Sequence, residues 1–294
     1  MYDIKALYEA ENISHAIQLL EEHPDARVIA GGSDVLIKIR EGKLRQPELV
    51  SIYGLDELRG VSVKEDGTLR IGSLTSFSHI TKNPLIQKHI PVLGEAVDKV
   101  GGPQIRNIGT IGGNTCNGVT SADSASTLFA YDAQVELAGP KGVRTVPVQE
   151  FYIRAGTVDL RHGEIETAIL IRKDSYEGYA GHYIKYAMRN AMDIATLGCS
   201  VNVKLAAGGK HLEDARIAFG VAGPVPLRCP AAEQAVKERA AGEETYRLAA
   251  EAILQDIHPR DSWRASRAFR EHISQVLVKR ALAEAVLRAG GEAR

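Results

Sequence analysis

The sequence predicts an α+β protein of two domains, and three observations carry this. Strand-like and helix-like stretches follow one another in mixed order, without the regular alternation of a βαβ sheet. The chain has 294 residues, a length at which single hydrophobic cores stop growing. A charged stretch from Asp174 to Tyr179, with Gly178 inside it, separates the apolar run ending at Ile171 from a fresh series of strands. The expected division is therefore residues 1–175 and residues 180–290.

The elements read in order. Asn12 can cap a short helix whose face is Ile13, Ala16, Ile17 and Leu20, with Pro24 just past its end. Arg27 to Ala30 reads as a buried strand feeding directly into Gly31-Gly32. Strand signals return at Leu49–Ile52, Val61–Val63 and Leu69–Ile71, the last two flanking the hairpin turn Asp66-Gly67. Phe77–His89 and Val92–Val100 read as helices punctuated by Pro84 and Pro91. A helix follows over Ala122–Ala130, with Asp123 or Ser124 as cap. Val135–Leu137 and Val143–Val146 flank the turn Gly139–Gly142 as a second hairpin, and Glu164–Ile171 closes the first unit. Beyond the boundary come strands at Tyr183–Ala187, Leu197–Leu205 and Ala215–Ala222. Two helical segments, Thr245–Gln255 and Trp263–Arg288, end the chain.

Two diglycine segments, Arg27-Val-Ile-Ala-Gly-Gly-Ser-Asp34 and Thr110-Ile-Gly-Gly-Asn114, stand out about eighty residues apart. A Gly-Gly step lets backbone N–H groups approach an anion closely, because no Cβ intervenes and φ is unrestricted. Ser33, Thr110 and Asn114 add hydroxyl and amide groups suited to phosphate or ribose oxygens. Converging in space, the two loops would hold a diphosphate from both sides; apart, each is an ordinary turn. Neither has the G-x-G-x-x-G spacing of a Rossmann fold or the G-x-x-x-x-G-K-[ST] of a P-loop.

Composition narrows the class. Lys+Arg number 36 against Asp+Glu 37, a net charge of −1, so no basic footprint for nucleic acid exists. The opening residues lack a signal-peptide pattern and no apolar run suits a bilayer, so a cytoplasmic protein is expected. Cys116, Cys199 and Cys229 are widely spaced with no C-x-x-C, which supports neither an iron–sulfur cluster nor a zinc site. Cys199 reads as a small buried hydrophobe, and Cys116 is notable only for following the second diglycine. The 9 histidines include no H-x-H or H-E-x-x-H, so no metal site is expected.

Five blocks taken together are more specific. Arg27–Ile37, Gly102–Gly118, Ser121–Ser124, Lys185–Cys199 and Ser262-Trp-Arg-Ala-Ser-Arg-Ala-Phe-Arg270 resemble, in order and over nearly the whole chain, the FAD-binding subunits of bacterial xanthine dehydrogenases. Related medium subunits occur in carbon monoxide dehydrogenase and other molybdenum hydroxylases. The resemblance implies a vanillyl-alcohol-oxidase-type (PCMH-type) FAD-binding domain followed by a smaller α+β C-terminal domain. It implies that Arg27, Val28, Ile29, Ala30, Gly31, Gly32, Ser33 and Asp34 wrap one side of the FAD diphosphate, and that Thr110, Ile111, Gly112, Gly113 and Asn114 wrap the other. By the same resemblance Asp123 helps anchor the nucleotide end, Glu166 offers a backbone contact to the flavin, and Lys185 lies beside the isoalloxazine.

Read without the resemblance, Asp123 is equally a helix cap, Lys185 a solvated edge lysine, and Arg106 either a phosphate partner or a packing residue. The resemblance further implies an iron–sulfur subunit with [2Fe-2S] clusters and a molybdopterin-binding subunit as partners, in a duplicated heterotrimer, with NAD as electron acceptor. One departure concerns NAD: Arg189-Asn-Ala-Met-Asp193 is less charged than the corresponding loop of animal xanthine oxidoreductases. A stand-alone flavin oxidoreductase and a non-enzymatic binding protein are the rival readings.

Overall fold

The structure, a computed structural model, describes residues 2–292. The N-terminal part begins with β1 (Ala6–Glu9), α1 (Ile13–Glu22), β2 (Arg27–Ile29), α2 (Val35–Arg40) and β3 (Glu48–Ser51). These strands form a parallel sheet in the order β1-β3-β2. α1 starts where Asn12 Oδ1 accepts the amide of His15 at 2.8 Å, the cap expected from the sequence. Its buried face of Ala16, Leu19 and Leu20 joins a small core with Val50, Ile52, Leu58 and Leu74.

The hairpin β4 (Val61–Val63) and β5 (Leu69–Gly72) leads into six short helices: α3 (Phe77–Lys82), α4 (Pro84–His89), α5 (Pro91–Asp98), α6 (Pro103–Ile108), α7 (Ile111–Asn117) and α8 (Asp123–Ala130). Proline occupies the first turn of α4, α5 and α6, where its missing N–H costs nothing. The single helix read over Phe77–His89 is thus two, because Asn83 ends α3 and its side chain caps α4.

Next come β6 (Gln134–Gly139), β7 (Gly142–Pro147), α9 (Val148–Phe151), the small ribbon β8 (Tyr152–Arg154) and β9 (Thr157–Val158), and β10 (Ile165–Ile171). The main sheet is antiparallel, in the order β4-β5-β10-β6-β7. Every residue of β10 is buried, as its central place demands. The expected hairpin from Val135 to Val146 is β6–β7.

The C-terminal part is an antiparallel sheet of β11 (Ala180–Tyr186), β12 (Leu197–Leu205), β13 (Leu212–Gly220) and β14 (Leu227–Arg228). α10 (Pro230–Val236), α11 (Glu243–Ala252) and α12 (Arg267–Arg288) complete it, sharing a core that includes Val201, Phe219, Tyr246 and Val278. The last helix begins at Arg267, four residues later than the sequence suggests, because Ser266 caps it through the amide of Phe269.

α8 joins the two parts. All eight of its residues are buried, and groups from the C-terminal sheet hold its end: Asn202 Nδ2 donates to Ala130 O at 3.2 Å, and Arg228 reaches both Phe129 O and Asp132. The mixed α+β organisation is as the sequence predicts. The short pieces β1, α2, α6, α9, β8, β9, α10 and β14 were not legible, being too brief to display a period.

Candidate functional site

The first diglycine segment packs against Ile108 and Gly109, the residues just before the second. β2 carries the chain to Gly31, where an ideal Cβ would lie 1.8 Å from Ile108 O. Glycine is obligatory there because another backbone crosses it. Gly32 has φ +74°, the left-handed region in which a side chain is strained. The turn ends as α2 begins after Asp34. Among the described residues the amides of Gly31, Gly32, Ser33 and Asp34 donate to no protein group. Four successive N–H groups without a protein acceptor are a donor row of the kind that can hold an anion.

The second segment differs from its expected form. It is the first turn of α7, not a loop, and its amides are occupied. Ile111 N donates to Thr75 O (3.1 Å), Gly112 N to Ser73 O (2.8 Å) and Asn114 N to Thr110 O (3.0 Å), while Gly113 N donates to Thr110 Oγ1 (3.1 Å). A Cβ on Gly112 would lie 2.6 Å from Ser73 Cβ, so packing fixes that glycine too. Gly113 is exposed, and a Cβ there would meet only Thr110 Oγ1, at 2.9 Å. A helical glycine costs ~1 kcal/mol relative to alanine, and no close backbone crossing requires this one. Its bare surface suits a ligand lying against it. Asn114 Oδ1 accepts from Ser124 Oγ at 2.5 Å, which leaves its Nδ2 available as a donor. Arg106 faces elsewhere: it binds Val100 O, Gly101 O and Asp98, so its packing reading holds.

Asp123 and Lys185 come together across the two parts of the molecule. Lys185 Nζ lies 2.8 Å from Asp123 Oδ2 and donates to Lys99 O at 2.9 Å; Tyr183 donates its hydroxyl to Asp123 Oδ1 at 2.7 Å. The two side chains are 10% and 6% exposed. Neither plain reading survives. Asp123 is the first residue of α8 and makes no capping bond, and Lys185 is a buried ion-pair partner rather than a solvated edge residue. Burial raises the Asp123 pKa, and the ammonium beside it opposes that rise.

Glu166 lies on β10 where a bulge shifts the register with β6. Sequence reading gave it only a backbone role, yet its side chain is buried too. Oε2 is 2.6 Å from Thr115 Oγ1 and 3.2 Å from Cys116 Sγ, and Oε1 has no partner. Thr115 has one hydroxyl proton and three oxygens within reach, Ile111 O, Gly112 O and Glu166 Oε2. A protonated Glu166 resolves the count by donating to Thr115, which donates onward to a carbonyl. Burial accordingly lifts the Glu166 pKa to about 8, and burial with the nearby carboxyl raises that of Cys116. Thr115 and the Tyr152 hydroxyl, also buried without a partner, were missed in the sequence. The available signal was Thr115 following Ile111 by four positions, on one helical face.

A consequence can be measured. A carboxyl whose folded pKa exceeds its unfolded value contributes stability present below about pH 4.5 and lost as pH rises through about 8. The slope in that window is at most ~1.4 kcal/mol per pH unit. Glu166→Gln, which cannot ionise, is expected to flatten the fall in urea stability across this range. An unchanged slope in the variant would assign it to other groups.

Among the described residues no group of three or more His, Cys, Asp or Glu can hold a metal ion, and no helix is long and apolar enough to cross a membrane.

Residues 2–172 match the family described as the FAD binding domain in molybdopterin dehydrogenase. Residues 182–285 match the CO dehydrogenase flavoprotein C-terminal domain. The chain is 44% identical over 292 residues to the putative xanthine dehydrogenase FAD-binding subunit XdhB of Escherichia coli, covering 99% of both. It is 31% identical over 274 residues to the carbon monoxide dehydrogenase medium chain of Hydrogenophaga pseudoflava, covering 92% of this chain and 93% of that one. A solved carbon monoxide dehydrogenase structure from Hydrogenophaga pseudoflava contains a chain that superposes with a TM-score of 0.91 at 29% identity, covering 98% of this chain and 99% of that one.

Proposed function

This chain belongs to the family of FAD-binding subunits of molybdopterin dehydrogenases and is an oxidoreductase subunit; we propose that its complex is a xanthine dehydrogenase. The observation that carries the reading is the row of unengaged amides from Gly31 to Asp34, in a turn that passes against Ile108 and Gly109 just before α7. That cradle fits a diphosphate, with Ser33 Oγ and Asn114 Nδ2 as further donors. Once bound, FAD supplies the redox chemistry, accepting electrons and passing them on as hydride.

The chain's own groups bind, orient and screen. The amides of Gly31, Gly32, Ser33 and Asp34 stabilise the phosphate oxygens as hydrogen-bond donors. The Lys185–Asp123 pair sets one ammonium and one carboxylate between the start of α8 and β11 of the C-terminal sheet. In this reading the ring lies near Lys185 and the nucleotide end near Asp123. Because the pair is close to neutral as a unit, Lys185 orients more than it attracts.

Electrons arrive from [2Fe-2S] clusters on an iron–sulfur partner, after substrate oxidation on a molybdopterin-binding partner, and leave to NAD. The assembly is a cytoplasmic duplicated heterotrimer, and this chain divides at residues 1–175 and 180–290. High identity over the full length of a xanthine dehydrogenase FAD-binding subunit favours xanthine over carbon monoxide as the substrate of the complex.

Assayed alone and loaded with FAD, the chain is expected to oxidise NADH with artificial acceptors and to leave xanthine untouched. The complex with both partners is expected to couple xanthine oxidation to NAD reduction. Xanthine oxidation by the isolated chain, or a complex inert toward xanthine, would contradict the proposal.

A further inference from the structure

Beneath the first turn of α7 runs a buried polar chain that leads to the turn's exposed residue. It starts at Glu166, 4% exposed, whose Oε2 is 2.6 Å from Thr115 Oγ1. Thr115 is fully buried, and its hydroxyl lies 3.1 Å from Gly112 O. Gly112 O and Gly113 N belong to one peptide unit, and Gly113 is exposed. Two hydrogen bonds and one peptide group therefore connect an interior carboxyl to the N–H of an exposed glycine.

Glu166 has no counter-ion. Among the described residues no lysine, arginine or histidine pairs with it. From α7 it faces the Cys116 thiol at 3.2 Å, and from β8 the phenol of Tyr152; burial raises the pKa of both, so both are neutral. The charged groups of the neighbouring strands are paired elsewhere, Glu136 with Arg70 at 3.5 Å and Glu164 with Arg144 at 2.8 Å, and Asp123 on α8 pairs with Lys185. A carboxylate here would be an uncompensated buried charge.

The two protonation states act differently on the turn. A neutral Glu166 donates to Thr115, whose own proton is then free to go to Gly112 O. That polarises the Gly112–Gly113 peptide and strengthens its N–H end as a donor. An ionised Glu166 draws the Thr115 proton to itself, takes the donor away from Gly112 O and sets a negative charge behind the turn. A diphosphate on the outer side of α7 favours the first state and opposes the second.

We propose that Glu166 is a positioning residue for the cofactor, acting through Thr115 on the first turn of α7, and that FAD binding is coupled to proton uptake at its carboxyl. The inference rests on the flavoprotein reading above. Burial, which lifts the Glu166 pKa to about 8, sets the range. Bound FAD raises that value further, so affinity is full below about pH 8 and falls as pH rises above it.

The test uses the full chain freed of flavin and titrated with FAD from pH 7 to pH 9. Calorimetry in buffers of different ionisation enthalpy counts the protons. The wild-type chain is expected to take up protons on binding, and its Kd to rise about 5-fold from pH 7 to pH 9, the effect of a further rise of about one unit in one carboxyl pKa. Glu166→Gln, which donates to Thr115 at every pH, is expected to show a Kd that is flat over this range and no proton uptake. Glu166→Leu is expected to lose the slope as well. A wild-type Kd that does not change with pH, or a folded variant that keeps the wild-type slope, would overturn this inference alone, as would protons released rather than taken up by the wild-type chain. A variant that only melts earlier, with the slope intact, would mark Glu166 as structural and overturn it too. A wild-type chain that takes up no FAD at any pH would overturn the flavin reading and this inference with it.

Discussion

Gly31→Ala is expected to cost the N-terminal domain its native packing, whereas Gly113→Ala is expected to give a folded protein that holds FAD poorly. The two glycines sit in sequence motifs that look alike and differ in what surrounds them. A methyl on Gly31 would fall 1.8 Å from Ile108 O, so either the β2 turn or the α6 end must move. Overpacking of this kind typically costs ~1–3 kcal/mol and sometimes more, and a backbone carbonyl cannot rotate away as a side chain can. A methyl on Gly113 meets only the Thr110 hydroxyl, at 2.9 Å, and alanine's helix propensity, better by ~1 kcal/mol, offsets that contact. In the proposed reading it would nevertheless stand where the ligand lies. Affinity for FAD is expected to fall by at least ~10-fold, the equivalent of ~1.4 kcal/mol. Thermal denaturation and a flavin titration on the two variants separate the effects. A Gly113→Ala protein with wild-type FAD affinity would mean that the exposed face of α7 is not part of the site.

The second large effect is expected at Asp123. Removing one partner of a buried ion pair costs ~3–5 kcal/mol, because the other charge is left unpaired away from water. Asp123→Ala strands the Lys185 ammonium, which retains only Lys99 O, and also deprives the Tyr183 hydroxyl of its acceptor. Since β11 carries Lys185 and α8 carries Asp123, the loss falls on the contact between the two domains. Lys185→Met is expected to cost less, because burial already raises the Asp123 pKa and protonation relieves the stranded carboxylate. The double variant Asp123→Ala/Lys185→Met is expected to be more stable than Asp123→Ala alone, a coupling readable in a double-mutant cycle. Strict additivity in urea denaturation would argue that the pair contributes nothing as a pair.

How far the sequence could be read follows from the physics of each signal. Hairpins announced by Asp66-Gly67 and Gly139–Gly142, the capped helix after Asn12 and the long final helix rest on local rules, and local rules suffice for them. The two diglycine steps were visible, but their different roles were not. Whether an amide is free or consumed depends on Ser73 and Thr75 reaching α7 from some forty residues earlier in the chain. The Asp123–Lys185 pair joins residues 62 apart in sequence. Likewise the Glu166–Thr115 contact spans 51 positions, so periodicity cannot foretell either.

Acid precipitation of the purified chain tests the central claim, that unengaged amides at Gly31–Asp34 hold one FAD noncovalently. The wild-type protein is expected to be yellow, to carry about one flavin per chain, and to release all of it as intact FAD into the acid supernatant. A colourless protein that takes up no FAD on titration, or flavin that remains in the acid pellet, would contradict the account.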